Sequence, residues 1–260
     1  MIPSIQAGGS PLHIAAALGQ LDRIQSLLDE GIDVDILKED GTTPLHSAST
    51  MGQAKALSLL LKEGANTETR GKNGATALMM AAAMGHNAVV EALVLGGAII
   101  DRQHTFAGTT ALHFAAEMGR VEVIQYLCAK GANVHLRTKA GGIALHTAAD
   151  TNQSSAVSIL LGAPCNSSTT MLLAGDTTPM YLAAQRGFTE VVEALAEGGV
   201  NVNFEMPSGK FKGEVMSVSS IDSKTEMPYY EEKNTEIGNG ATCLHAAVEN
   251  GHIDTVLMFA

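Results

Sequence analysis

The chain has 260 residues, of which 45% are hydrophobic, 4% aromatic and 17% charged, with no Trp. Its formal net charge is −11, split as −2 over residues 1–139 and −9 over residues 140–260. That balance argues against direct binding of nucleic acid phosphates, and the low aromatic share suits a core of Ala, Leu and Val.

A phrase whose cleanest copy is Gly41-Thr42-Thr43-Pro44-Leu45-His46 returns along the chain. Its leucine falls at Leu12, Leu45, Leu78, Leu112 and Leu145, then as Met180, then as Leu244, at intervals of 33, 33, 34, 33, 35 and 64 residues. Self-similarity at a fixed period of this size means a stacked array of repeats. Such an array offers an extended binding face rather than a catalytic pocket.

Each copy predicts a helix, a turn and a second helix. Repeat one carries Arg23, Gln25, Asp29 and Glu30 on its second helix and reads as a modest N-terminal cap. Repeat two is the cleanest copy. Repeat three reads Thr76-Ala77-Leu78-Met79 and lacks the histidine. In repeat four, Thr110 can N-cap a helix by accepting from an orphan amide. Ala111 stands where Pro44 and Pro179 stand in their copies, at the first helical position, which tolerates proline. Leu112, Ala115 and Ala116 share one face at helical spacing. Gly119 ends that helix, Val121, Ile124, Leu127 and Cys128 stripe the second, Gly131 ends it, and Asn133 to Gly141 is a polar turn.

Repeat five has Ile143 in the threonine place, Asn152 in the turn-glycine place and Pro164 where Gly131 stands. Asn tolerates the left-handed conformation that this turn needs. Repeat six has Tyr181 in the histidine place. Repeats five and six are therefore the expected weak joints. A stretch of about 31 residues is then inserted, roughly between Phe204 and Glu236. It holds Pro207, Pro228, five serines, Tyr229 and Tyr230, and repeats Glu-Met-Pro at 205–207 and 226–228. It reads as a flexible loop, tolerated or regulatory, or as a lengthened hairpin, since Glu214 to Ile221 alternates loosely. Repeat seven stops on its second helix. Val256, Phe259 and Ala260 are core-type residues expected to lie uncovered there, as in a fragment of a longer protein. The domains are thus repeats one to six over 1–203, the insertion over 204–236, and repeat seven, truncated, over 237–260.

Chemistry finds little footing. Five of the nine histidines, His13, His46, His113, His146 and His245, sit in the repeated phrase. Neighbouring repeats lie about 8–10 Å apart, whereas metal ligands sit about 2 Å from one ion, so the histidine ladder forms no metal site. No Gly-x-Ser-x-Gly elbow and no phosphate-binding Gly-rich loop is present, so no enzyme and no cofactor is expected. Cys128, Cys165 and Cys243 show no ligand spacing and are odd in number, which fits a reducing, cytoplasmic compartment, or the nucleus. Met1 to Ser10 is too short for a secretory signal. The apolar stretch Ala77 to Ile100 contains His86, Asn87, Glu91 and three glycines and aligns as repeat three, so no membrane insertion is expected.

The Thr-Pro-Leu-His phrase, the Ala-Ala pair, the turn glycine and the Gly-Ala-Asn helix end together resemble the ankyrin repeat family over nearly the whole chain. The resemblance implies an all-α solenoid of helix-turn-helix units with hairpin-like loops. It implies a protein–protein scaffold or adaptor, or alternatively a regulatory or targeting module of a larger enzyme or channel. It implies that the histidines tie their helices to neighbouring backbone and to the Thr hydroxyl. It places the residues before each turn glycine in a concave groove, together with the loop tips.

Leu18, Met51, Met84 and Met118 then form an apolar series over repeats one to four, followed by Thr151, Arg186 and Asn250. These methionines read either as outer core or as an adaptable binding ladder. With them, Glu39, Asp40, Lys72 and Phe106 at the loop tips and Arg186 in the groove are candidate partner contacts. Candidate modification sites are Ser219 and Ser223, each with an acidic residue three places on, which resembles an acidophilic kinase pattern. Asn203 is a third, since it matches the position that an asparaginyl hydroxylase modifies in ankyrin proteins. Asp35, Glu68, Asp101 and His135 replace it elsewhere.

Limited proteolysis should cut first within 204–236. Joining Asn203 to Gly238 should leave the thermal transition within a few degrees, and a large loss of stability would show that the insertion is packed.

Overall fold

The computed structural model describes residues 9–165, 167, 177–201, 215–221, 228–233 and 242–259. In chain order the helices are α1 (Pro11–Leu18), α2 (Leu21–Asp29), α3 (Pro44–Thr50), α4 (Ala54–Lys62), α5 (Ala77–Met84), α6 (Asn87–Leu95) and α7 (Ala111–Glu117). They continue as α8 (Val121–Ala129), α9 (Ala144–Asp150), α10 (Ser154–Leu161), α11 (Pro179–Arg186) and α12 (Thr189–Glu197). After the strands β1 (Val215–Ile221) and β2 (Pro228–Lys233) come α13 (Cys243–Glu249) and α14 (Ile253–Met258). The odd-numbered helices stack in one row and the even-numbered ones in another, each pair packed on the next. This is an all-α solenoid, with one hairpin of strands inside the insertion.

The core follows the period. Each second helix from α2 to α12 buries a pair three residues apart, among them Ile24 and Leu27, Leu57 and Leu60, Ile124 and Leu127, and Val192 and Leu195. Alanines such as Ala48, Ala81, Ala115 and Ala148 are fully buried, and their small size lets the two rows approach.

The phrase histidines join consecutive repeats. The Thr43 amide donates to Nδ1 of His46 at 3.2 Å, which makes Nδ1 the unprotonated nitrogen. Nε2–H then donates to the Ala75 carbonyl in repeat three, at 3.3 Å. His13 does the same with the Thr42 carbonyl at 3.0 Å, and His113 with the Gly142 carbonyl at 3.4 Å. The expected threonine cap accepts the helix amide at Thr178, 3.1 Å from the Tyr181 nitrogen. At Thr110 the hydroxyl instead lies 2.9 Å from Nδ1 of His113. Repeat three keeps the geometry without a histidine, because the buried Met79 sulfur accepts from the Thr76 amide at 3.5 Å.

Helix ends are joined in the same way on the other side. Arg120 lies across Gly85 and its Nε donates to the Ala83 carbonyl at 3.0 Å. A Cβ on Gly85 would meet the Arg120 side chain at 2.7 Å, and φ there is +80°. His86 and His252 bond the carbonyls of Thr50 and Gln185 likewise, at 3.0 and 2.9 Å. Asn152 takes the turn-glycine place in repeat five with φ 61°, the left-handed conformation expected of it.

Three expectations need correction or completion. Val256 is not uncovered: it is buried, with Thr255 fully buried beside it and hydrogen-bonded to Thr189 of α12 at 3.0 Å. The exposed apolar residues of repeat seven are Leu244, Ile253 and Leu257, with Phe259 half-buried. Cys128, at the end of α8, and Cys165, after α10, are paired as a disulfide, with Cα atoms 5.2 Å apart. The odd cysteine count therefore does not mean three thiols. Burial pushes the Cys243 thiol up to about 11, so it is a packing residue rather than a reactive one. Within the insertion, β1 and β2 run antiparallel from Val215 opposite Lys233 to Ile221 opposite Pro228, and the register slips between Val218 and Ser220. Ser219 is the extra residue of that irregularity. Asn203, Ser223 and the rest of 204–236 lie outside the described residues, as does Ala260.

Burial lowers the pKa of His13, His46 and His113 below the ordinary 6.5, partly offset by their bonds to backbone carbonyls. Above pH 6.5 both folded and unfolded states hold them neutral, and nothing is lost. As pH falls below that, the unfolded chain binds protons first, so stability drops until the folded imidazoles protonate too. Thermal melts should fall between pH 7 and pH 5, by up to about 1.4 kcal/mol per pH unit for each such histidine. His46→Gln should make that dependence shallower. A second expectation comes from the turn: Asn152→Gly should stabilise the chain by about 0.5–1 kcal/mol, and Asn152→Val should destabilise it, as read by denaturant melts.

Candidate groove and loop-tip interface

The residue before each turn glycine sits at the end of a first helix, where the left-handed turn swings the backbone back toward the second helix. At these ends Leu18 is 61% exposed, Met51 59%, Met84 47% and Met118 46%. These side chains are therefore not buried core. They occupy the same place in four consecutive repeats and form a row. Helical spacing puts Phe114, half-buried, one turn before Met118 on the same face of α7. Met80 stands in the same relation to Met84, and its sulfur lies 3.9 Å from the Thr50 hydroxyl of the preceding repeat.

The row changes chemistry after repeat four. Thr151 is half-buried, and its hydroxyl donates to the Thr147 carbonyl at 2.8 Å. Arg186 is exposed but ion-paired with Asp150 of repeat five, Nε to Oδ1 at 2.8 Å.

The loop tips form a second row. Lys72 is exposed; its amide donates to the Asp40 carbonyl at 2.7 Å, and its side chain lies over Gly41. Lys139 repeats this two units later, with its amide bonded to the Ala107 carbonyl at 2.8 Å and its side chain over Gly108. Phe106, 62% exposed, lies over Gly74 between them. Each of these glycines has positive φ, so side chains of the next tip settle where a Cβ would stand. Glu39 is exposed at the tip of repeat two. Asp40 is exposed beside it but engaged within its own loop: it accepts from the amide and hydroxyl of Thr42, and these bonds hold its carboxyl below the ordinary range.

Sequence reasoning singled out Lys72 and Phe106 but not what surrounds them. His104 holds the loop place that Gly71 and Thr138 hold in their repeats, its amide bonded to the Thr109 carbonyl and its carbonyl to the Gly108 amide, so the extra residue of the 34-residue interval falls after it. Its Nδ1 accepts from the amides of Phe106 and Ala107, at 3.3 and 3.2 Å. Its ring stands edge-on to both Phe106 and Phe114, with centroids 5.9 Å away in each case. His104 thus joins the tip of repeat four to its groove helix. Arg70, half-buried, donates from Nη1 to the Thr105 hydroxyl at 2.6 Å, and Lys139 Nζ donates to the Thr105 carbonyl at 2.9 Å. The odd interval signalled an altered tip in repeat four but did not single out His104. Arg70 and Lys139 were visible only as loop charges.

The comparisons with known proteins agree with this geometry. A model described as "Ankyrin repeats (3 copies)" matches residues 3–71, 65–138 and 130–206, and one described as "Ankyrin repeat" matches residues 239–259. Among solved structures, the chain is similar to the human ASB11 ankyrin repeat domain, at 24% identity and TM-score 0.73, over 95% of this chain and 97% of that one. It is also similar to the ankyrin repeat domain of Bcl-3, described as a unique member of the IkappaB protein family. There the identity is 25% and the TM-score 0.67, over 77% of this chain and 91% of that one. No curated protein matches the chain in sequence.

Proposed function

The chain belongs to the ankyrin repeat family, and from that premise we propose that it is a scaffold or adaptor that holds a partner protein in its groove and loop tips. Ankyrin repeats are protein–protein interaction modules. The observation that carries the reading is the row of Leu18, Met51, Met84 and Met118, each about half exposed where a fold-only role would bury them. Met is flexible and polarisable, so a row of it adapts to an apolar partner surface. The frame spends its histidines and threonines on repeat-to-repeat bonds, which supports binding without a reaction of its own. No described helix is long and apolar enough to cross a membrane.

Burying such a side chain fully is worth roughly 1.5–3 kcal/mol, and about half of each remains to be buried. Met51→Glu with Met84→Glu should therefore weaken partner binding by about 10- to 100-fold while circular dichroism stays unchanged. Quantitative affinity capture with wild-type and doubly substituted chains reads this. An identical set of captured proteins at identical yield would remove the groove from the function.

A further inference from the structure

The tips of repeats three to five differ in character from the rest of the molecule. The chain carries a net charge of −11, and the tip of repeat two presents Glu39. Yet the next tips present Lys72, then Phe106, then Lys139, all exposed, with Arg70 alongside. The bonds drawn to Arg70 and Lys139 end on the Thr105 hydroxyl and carbonyl, which do not neutralise a cation. The described salt bridges use Arg23, Arg102 and Arg186 instead. The cations are also held in place: each lysine amide is bonded to the preceding tip, and each stem lies over a glycine. Phe106 is fixed edge-on by His104.

We propose that this row reads an extended, acidic peptide segment of a partner, with an apolar side chain seated on Phe106 and carboxylates on Lys72 and Lys139. The inference rests on the groove-and-tip reading above and names the chemistry of the partner. Spacing makes it specific. Adjacent tips are about 8–10 Å apart, and an extended chain advances about 3.3 Å per residue. An acidic residue on each side of the apolar one, about three positions away, fits the row. At physiological ionic strength charges more than about 8 Å away are screened, so these local cations outweigh the acidic remainder of the chain. The same screening makes the contact salt-sensitive. A protein segment is favoured over a nucleic acid because the cations flank one aromatic ring rather than line a continuous basic track.

The test is selection from a random phage-displayed peptide library on the full chain. Enriched peptides are then labelled and titrated by fluorescence anisotropy. The expected peptides carry Asp or Glu on both sides of Leu, Phe or Trp and bind more weakly as salt rises. Lys72→Glu with Lys139→Glu should weaken them roughly tenfold, and Lys72→Gln with Lys139→Gln, which keeps the stems, by less. Peptides with no acidic excess, lost in Met51→Glu/Met84→Glu but indifferent to the lysine pair, would overturn this inference and leave the groove standing. Peptides indifferent to both pairs would overturn both. An oligo-dT strand that binds as tightly, with the same lysine dependence, would make the row a general anion surface and overturn the acidic-peptide reading.

Discussion

A helix of seven or eight residues leaves most of its terminal carbonyls without a partner inside the helix, and each first helix in this chain is that short. Alone, such a helix is far below the length that persists in water. The array satisfies those carbonyls from next door. Arg120 reaches back to Ala83, His86 to Thr50 and His252 to Gln185. At the other helix end His46 and His113 reach forward to the loop of the following repeat. Bonds therefore run both ways across a junction, as His46 to Ala75 and His86 to Thr50 do between repeats two and three, and neither the backbone of a repeat nor its apolar face is complete alone. The left-handed turn glycines follow from the same constraint. At Gly52, Gly85 and Gly187 the side chain that donates from the next repeat lies where a Cβ would stand.

That dependence explains what could be read from residues alone. The period, the proline or alanine at the first helical position, the turn glycines and the substitute Asn152 are local requirements of one repeated unit, so the sequence displays them openly. Pairings between repeats are different. Nothing in the spacing of Cys128 and Cys165 announces a bond across 37 residues, because it depends on where the segment after α10 comes to rest against α8. Repeat seven looked uncovered because its packing on α12, seen in the Thr189–Thr255 bond, spans the whole insertion. Asp40 and Arg186 looked available as loop and groove charges, but Thr42 engages one and Asp150 the other. Ion pairs and turn bonds of this kind are decided by rotamers and neighbours, which a linear pattern does not carry. The row of exposed side chains at Leu18, Met51, Met84 and Met118 was legible as a row, but its exposure was not, since buried and exposed methionines share the same helical spacing.

The positions that make the frame and those that face outward are nearly disjoint. Histidine, threonine, alanine and the turn glycine are fixed by bonds and close packing, whereas the residue before the turn glycine and the second residue of each tip meet no such demand. Fold and binding chemistry are therefore set independently, and membership of the ankyrin family leaves the partner open. The outward positions also divide the array along its length. In repeats one to four the groove ends are apolar, and in repeats three to five the tips are cationic around one aromatic ring, so the two rows overlap in repeats three and four. There, His104 links Phe106 at the tip to Phe114 on the helix that carries Met118. Beyond it, the Asp150–Arg186 pair and the self-bonded Thr151 turn the groove toward satisfied polar groups. A partner gains little by displacing those, since it would have to replace bonds already made. Under the binding proposed above, repeats three and four, where apolar area and unneutralised charge coincide on one frame, are where the gain in binding free energy would concentrate.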